Sequence, residues 1–149
     1  MASANLRERL QPWLQRWSVD DLTGADAWLF HMSLREWRAE EFLVMSGELG
    51  DTLYLLEQGL VRLYYTDHDG RERNKAFYGA GQVTGPVSAA LTASPAPFSI
   101  QCLEDTQAIC FRFRDLLEAT STNPGINRLY QQLLAEAFIR NQQREAVLL

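Results

Sequence analysis

The sequence predicts an α+β protein, an antiparallel β region with helices at both ends of the chain. Three observations predict it. Apolar residues recur at helical spacing through the first thirty residues, the period changes to two from Leu34 to Phe113, and helical spacing returns after that. At 149 residues the chain suits one core. It divides into an N-terminal helical segment (1–33), a strand region with an inserted short helix at about 85–92 (34–113), and C-terminal helices (114–149).

In the first segment Leu6, Leu10, Trp13, Leu14 and Trp17 share a helical face, and Pro12 is expected to kink or end that helix. Thr23-Gly24-Ala25-Asp26 has the composition of an N-terminal cap, followed by the apolar run Ala27-Trp28-Leu29-Phe30. Strands are expected over 34–38, 42–45, 53–57, 60–66, 71–78, 98–103 and 107–113. Asp69-Gly70 closes the hairpin between 60–66 and 71–78, since glycine takes the positive φ such turns demand. Ile109, Phe111 and Phe113 share one face of the last strand, and Phe98, Ile100 and Cys102 form the matching inward set of the strand before it.

Segment 79–97 contains Gly79, Gly81, Gly85, Pro86, Pro95 and Pro97 and is too long for a hairpin turn. Within it Val87 to Leu91 suit about one helical turn, and loops of this size inside a compact β domain are often functional. After Phe113, Asp115 to Ala119 reads as a short helix. Ser121-Thr122-Asn123-Pro124 then reads as a cap with Pro at the first helical position. The last helix runs from Pro124 to about Leu148. Its apolar positions, Ile126, Leu129, Tyr130, Leu133, Leu134, Ala137 and Phe138, form a stripe wider than one strip of core contact. A parallel dimer through this helix is therefore expected, with Tyr130, Leu133, Ala137 and Phe138 on the shared seam.

The formal net charge is −5, and of the 14 basic residues only Lys75 is not arginine. An acidic chain lacks the electrostatic footprint of a nucleic-acid-binding module and suits a membrane surface poorly. No stretch approaches the ~20 apolar residues that span a bilayer, and the N-terminus lacks the apolar core of a secretory signal. A cytoplasmic protein is expected. Cys102 and Cys110 read as two buried thiols rather than a disulfide, and two cysteines cannot supply the four thiolates of a usual iron–sulfur cluster.

Residues 47–64, Gly47-Glu48-Leu49-Gly50-Asp51-Thr52-Leu53-Tyr54-Leu55-Leu56-Glu57-Gln58-Gly59-Leu60-Val61-Arg62-Leu63-Tyr64, read as a strand, a reversal at Glu57-Gln58-Gly59, and a second strand. With Gly81, Gly85 and Leu103-Glu104-Asp105 further on, this block resembles the cyclic-nucleotide-binding domain of the Crp/Fnr family of bacterial transcription regulators, over about 40–148. The resemblance implies an antiparallel β-roll (a double-stranded β-helix) flanked by N-terminal helices and a long C-terminal helix. It implies a ligand-sensing, dimerising regulatory domain, with DNA contacted only through a winged helix-turn-helix domain that this chain does not contain. The effector is not named by the sequence.

In that family a cyclic phosphodiester is held by an arginine, by backbone N–H groups at the start of a short helix, and by a carboxylate on the ribose hydroxyl. The family pattern is Phe-Gly-Glu-Leu, then Arg-Ser or Arg-Ala eleven residues after the Gly. Here Gly85 keeps its place, so the turn and its N–H groups are expected to survive. The Glu position is Pro86 and the Arg position is Ala96, with Pro97 next. Each lost charged hydrogen bond is worth about 1.5–3 kcal/mol, so losing both weakens binding by roughly two to four decades. Cyclic AMP is a possible ligand bound weakly or not at all, and no cofactor is assigned.

Phe98 either fills the space of the phosphate or is simply a core residue of its strand. Gln82, Thr84, Ser88 and Ser99 are candidates for a smaller polar pocket beside Gly85, Pro86, Val87, Ala96, Pro97 and Phe98. Asn141 and Gln142 fall on the last helix where family members contact the base. An alternative reading is a vestigial pocket in a domain that only dimerises. Catalytic and metal sites are not expected. A cupin-type enzyme needs clustered His and carboxylate ligands, whereas this chain has only His31 and His68, and no Ser-His-Asp, Cys-His or paired-carboxylate constellation stands out.

Overall fold

The computed structural model describes the backbone of residues 4–148 and the side chains of residues 5–136. Helices α1 (Ala4–Arg16) and α2 (Asp26–Phe30) precede β1 (Ser33–Trp37), β2 (Phe42–Val44), β3 (Thr52–Gln58), β4 (Leu60–Thr66), β5 (Glu72–Gly79) and β6 (Val83–Thr84). Helix α3 (Val87–Thr92) leads to β7 (Ser99–Cys102) and β8 (Thr106–Arg112), and α4 (Phe113–Thr120) and α5 (Pro124–Leu148) follow. The strands form two four-stranded antiparallel sheets, ordered β1-β8-β3-β6 and β2-β7-β4-β5. This is the antiparallel roll with flanking helices that the resemblance implied.

Two apolar cores result. One lies inside the roll, between the sheets, and contains Tyr54, Leu56, Val61, Leu63, Phe98, Ile100, Cys102, Ala108 and Cys110. The other lies outside the first sheet, where α1, α2, α4 and α5 cover Leu53, Leu55, Ile109 and Phe111. Strands β3 and β8 are thus buried on both faces, which is why their apolar residues run almost without alternation. This corrects one expectation: Ile109 and Phe111 do not face the same core as Phe98, Ile100 and Cys102. Phe113, expected in the last strand, begins α4 and packs on Tyr130 with ring centres 5.7 Å apart.

Helix α1 runs through Pro12 to Arg16. Pro12 lies on the exposed face, and burial of Leu10, Trp13, Leu14 and Trp17 on the other face outweighs one missing backbone bond. The 23–26 cap differs from expectation as well. No side chain caps α2, and Thr23 instead donates both its N–H and its hydroxyl to Asp21 Oδ1. The cap of α5 forms as expected: Asn123 Oδ1 accepts the N–H of Gly125 at 2.9 Å, while its Nδ2 donates to the carbonyls of Asp21 and Thr23.

Leu133 requires a further correction. Ile126, Leu129 and Leu133 follow one another at helical spacing and are fully buried in the protomer's own helical core. Leu133 therefore serves that core and not an exposed seam. Tyr130 and Leu134 flank this row and are only partly buried. Ala137, Phe138, Asn141 and Gln142 lie outside the residues whose side chains are described.

Candidate ligand site between β6 and β7

Strand β6 is only two residues long, with Val83 paired to Leu55 and Thr84 to Tyr54 on β3. It delivers the chain to Gly85, whose φ of +148° and closeness to β3 suit glycine: an added Cβ would lie 2.6 Å from Leu53 Cδ2 and 2.9 Å from the Thr52 carbonyl oxygen. Helix α3 starts directly after Pro86, which is buried and has no N–H. The N–H of Val87 is taken by the Gly85 carbonyl at 3.0 Å. The turn at Gly85 survives, but the free N–H groups expected there are reduced by one absent donor and one used internally.

The far side of the cassette is zipped to residues 47–50. Gly47 N donates to Ala96 O at 2.9 Å, Ala96 N to Glu48 O at 2.7 Å, and Gly50 N to Ser94 O at 3.2 Å, around a bridge between Leu49 and Pro95. Gly50 sits so close that an added Cβ would lie 2.9 Å from Pro86 Cγ, 3.1 Å from Ala89 Cβ and 3.3 Å from Ala96 Cα. The two positions that carry the carboxylate and the arginine in the family pattern therefore converge on one point, and they meet there as an apolar, contact-closed cluster. The sequence places Gly47 and Gly50 only at the start of the 47–64 block; their role as the opposing wall is a finding of the structure. The available signal was two glycines three residues apart facing a Pro- and Ala-rich loop of matching length.

Phe98 points into the roll, nearly buried, with its ring edge-on to Tyr65 at 5.7 Å. Tyr65 in turn accepts a hydrogen bond from Lys75 Nζ at 3.1 Å. The four polar candidates do not converge. Gln82 Oε1 accepts the N–H of Gly79 at 2.7 Å and so serves its turn. Ser99 Oγ accepts the N–H of Ser46 at 2.9 Å. Ser88 and Pro97 are exposed, and Val87 packs against the helical core. Thr84 alone is buried with its hydroxyl unpartnered among the described residues. Opposite residues of an antiparallel pair share a face, so Thr84 turns inward with Tyr54.

Burial raises the pKa of both thiols, and that of Cys110 is pushed up to about 12. Both cysteines are unpaired. A polar cleft of about 550 Å³ opens elsewhere, at the ends of β1 and β3, beside Glu36, Glu41, Gln58 and Asp105. None of the described candidate ligand residues lines it. Among the described residues no helix is long and apolar enough to cross a membrane.

The family model of the cyclic nucleotide-binding domain matches residues 34–123, more than half of the chain. A cyclic AMP receptor protein from Thermus thermophilus is 34% identical over 89 residues, which are 60% of this chain and 41% of that protein. Among solved structures, the catabolite activator protein of Thermus thermophilus superposes with a TM-score of 0.63 at 28% identity, covering 80% of this chain and 53% of that one. The N-terminal domain of a transcriptional regulator from Streptomyces coelicolor A3(2) shares the fold with a TM-score of 0.63 at 23% identity, covering 83% of this chain and 86% of that one. The chain thus spans about two fifths of its curated relative and about half of the Thermus structure. With the roll, the cassette position and the family match in agreement, the chain belongs to the cyclic nucleotide-binding domain family, in its Crp/Fnr form.

Proposed function

We propose that this is a ligand-sensing regulatory domain of a cytoplasmic Crp/Fnr-type transcription regulator, acting by binding and not by chemistry. It dimerises through α5 and passes its state to a DNA-binding domain beyond this chain, the ligand acting by favouring one dimer geometry over another. Cyclic AMP binds it weakly or not at all. One observation carries that last point: Pro86, Ala89 and Ala96 close around Gly50 where the family pattern places a carboxylate and an arginine. An apolar seat offers no charge and fewer backbone donors to a phosphodiester, and a desolvated phosphate short of partners is strongly disfavoured.

Calorimetry tests this with the wild type, Pro86→Glu/Ala96→Arg, and the same pair with Phe98→Ala. No saturable heat from cyclic AMP is expected for the wild type. The triple variant should gain at least about one decade in affinity, at ~1.4 kcal/mol per decade. Tight wild-type binding would refute the reading. The burial of Phe98 against Tyr65 inside the roll favours a second reading, a module that only dimerises. A thermal-shift screen of cyclic and linear nucleotides and small metabolites separates the two, because a pure dimerisation module responds to none of them.

A further inference from the structure

Arg16 ends α1, and its guanidinium touches three separate parts of the molecule. Nη1 donates to the Gly81 carbonyl at 2.7 Å, and Nη2 pairs with Glu136 Oε2 on α5 at 3.1 Å. The same group lies 4.5 Å from the ring centre of Trp13 and 5.3 Å from that of Trp17. Those rings are buried and lie 5.6 Å apart. Gly81 is itself tied to the first sheet, its N–H bonded to the Leu56 carbonyl at 2.8 Å, and it stands just ahead of β6 and the cassette.

We propose that Arg16 is a clamp coupling the segment that leads into the cassette, 79–85, to the terminal helix. A displacement on either side is passed to the other through the guanidinium plane. That plane is rigid and its donors point in fixed directions, so the positions of Gly81 O and Glu136 constrain each other. The two tryptophans hold the plane by cation–π attraction, and the partial negative charge at the end of α1 favours a cation there. Exposed ion pairs contribute little stability by themselves, and this one is about two fifths exposed on each side. What distinguishes it is one rigid group shared between a backbone carbonyl and a carboxylate. A lysine has three donors on one small, freely rotating ammonium, so it can reach such acceptors without fixing their relative positions.

A second ion pair of α1, Arg9 with Glu57 on β3 at 2.9 Å, anchors the same helix at another place and is the natural control. The clamp needs no ligand, so its failure would leave the sensing role untouched.

Hydrogen exchange on the full chain tests it in the wild type and in Arg16→Lys, Glu136→Ala and Arg9→Gln. Arg16→Lys should speed exchange about fivefold or more at both 79–87 and 126–136. Glu136→Ala keeps the bond to Gly81 and installs the best helix former, and it should still speed exchange at 79–87 by about threefold. Arg9→Gln should leave both segments near wild type. Exchange at 79–87 unchanged within about twofold in Glu136→Ala overturns the clamp, as does an Arg9→Gln variant that matches Arg16→Lys. Glu136 is a half-exposed helix position, so that variant decides the matter even if Arg16→Lys folds poorly.

Discussion

Asn123 shows how much one side chain can hold. Its oxygen caps α5 and its amide satisfies two carbonyls of the 21–23 loop, all within a site only 6% exposed. A lost cap costs about 1 kcal/mol and each orphaned carbonyl about 1 kcal/mol more. Asn123→Ala should therefore destabilise by about 2–3 kcal/mol in urea denaturation. Asn123→Asp, which keeps the cap oxygen but turns a carboxylate oxygen toward both carbonyls, should lose at least as much as Ala. A loss below about 0.5 kcal/mol for Ala would show that the loop and helix are held by other contacts.

At Cys110 the effect is linked to pH. Burial keeps the folded thiol protonated up to about pH 12, while the unfolded thiol ionises near 9. Its contribution is complete below the unfolded value and is lost as pH rises from there toward the folded one. The slope is ~1.4 kcal/mol per pH unit per proton. Buried Tyr54 and Cys102, both raised by burial, act in the same direction. Cys110→Ala should therefore make the decline in urea midpoint between about pH 9 and 10.5 shallower without abolishing it. An unchanged slope would rule the thiol out as a contributor.

At the scale of elements, the seat of the cassette on β3 gives the sharpest contrast. Gly85→Ala drives a methyl into Leu53 and the Thr52 carbonyl, whereas at Gly81 the same methyl meets nothing within 4 Å and only the φ of +84° opposes it. Losses of about 3 and 1 kcal/mol are expected respectively, by chemical denaturation. Equal losses would mean that β6 shifts away easily and the seat is soft.

Legibility in the sequence followed the same physics. The β4–β5 hairpin was readable because its period and its Asp-Gly turn are local. Asp67 organises that turn, its carboxyl held below the usual range chiefly by the N–H of Arg71. Strand β6 was not readable, since two residues show no period. The missing carboxylate and arginine at positions 86 and 96 follow from the family resemblance, taken position by position. The convergence of the two positions on Gly50 was not readable, because it joins segments more than thirty residues apart.

For the whole molecule, the proposed dimer turns on which face of α5 is left for a second copy. Ile126, Leu129 and Leu133 are consumed by the protomer, while Tyr130 and Leu134 keep part of their surface. A stripe's width can be read from sequence, but its division between own core and partner depends on where the roll lies. Light scattering at tens of micromolar should show a dimer. Leu134→Glu should give a folded monomer, and Leu133→Glu should unfold the chain, since it buries a charge without a partner. A dimeric Leu134→Glu variant would place the seam elsewhere.

The double burial of β3 and β8 bears on where this chain can change its length. The second sheet has one polar side, where Arg62 bonds Gln101 at 2.7 Å and pairs with Glu72 at 3.0 Å. A slip there disorders a single core. One residue inserted in β3 would exchange the contents of two cores at once, sending Tyr54 and Leu56 among the helices and Leu53 and Leu55 into the roll. Insertions should therefore be survivable at the rim, around 67–71, and ruinous in the shared wall, which makes the middle of the protein its ruler.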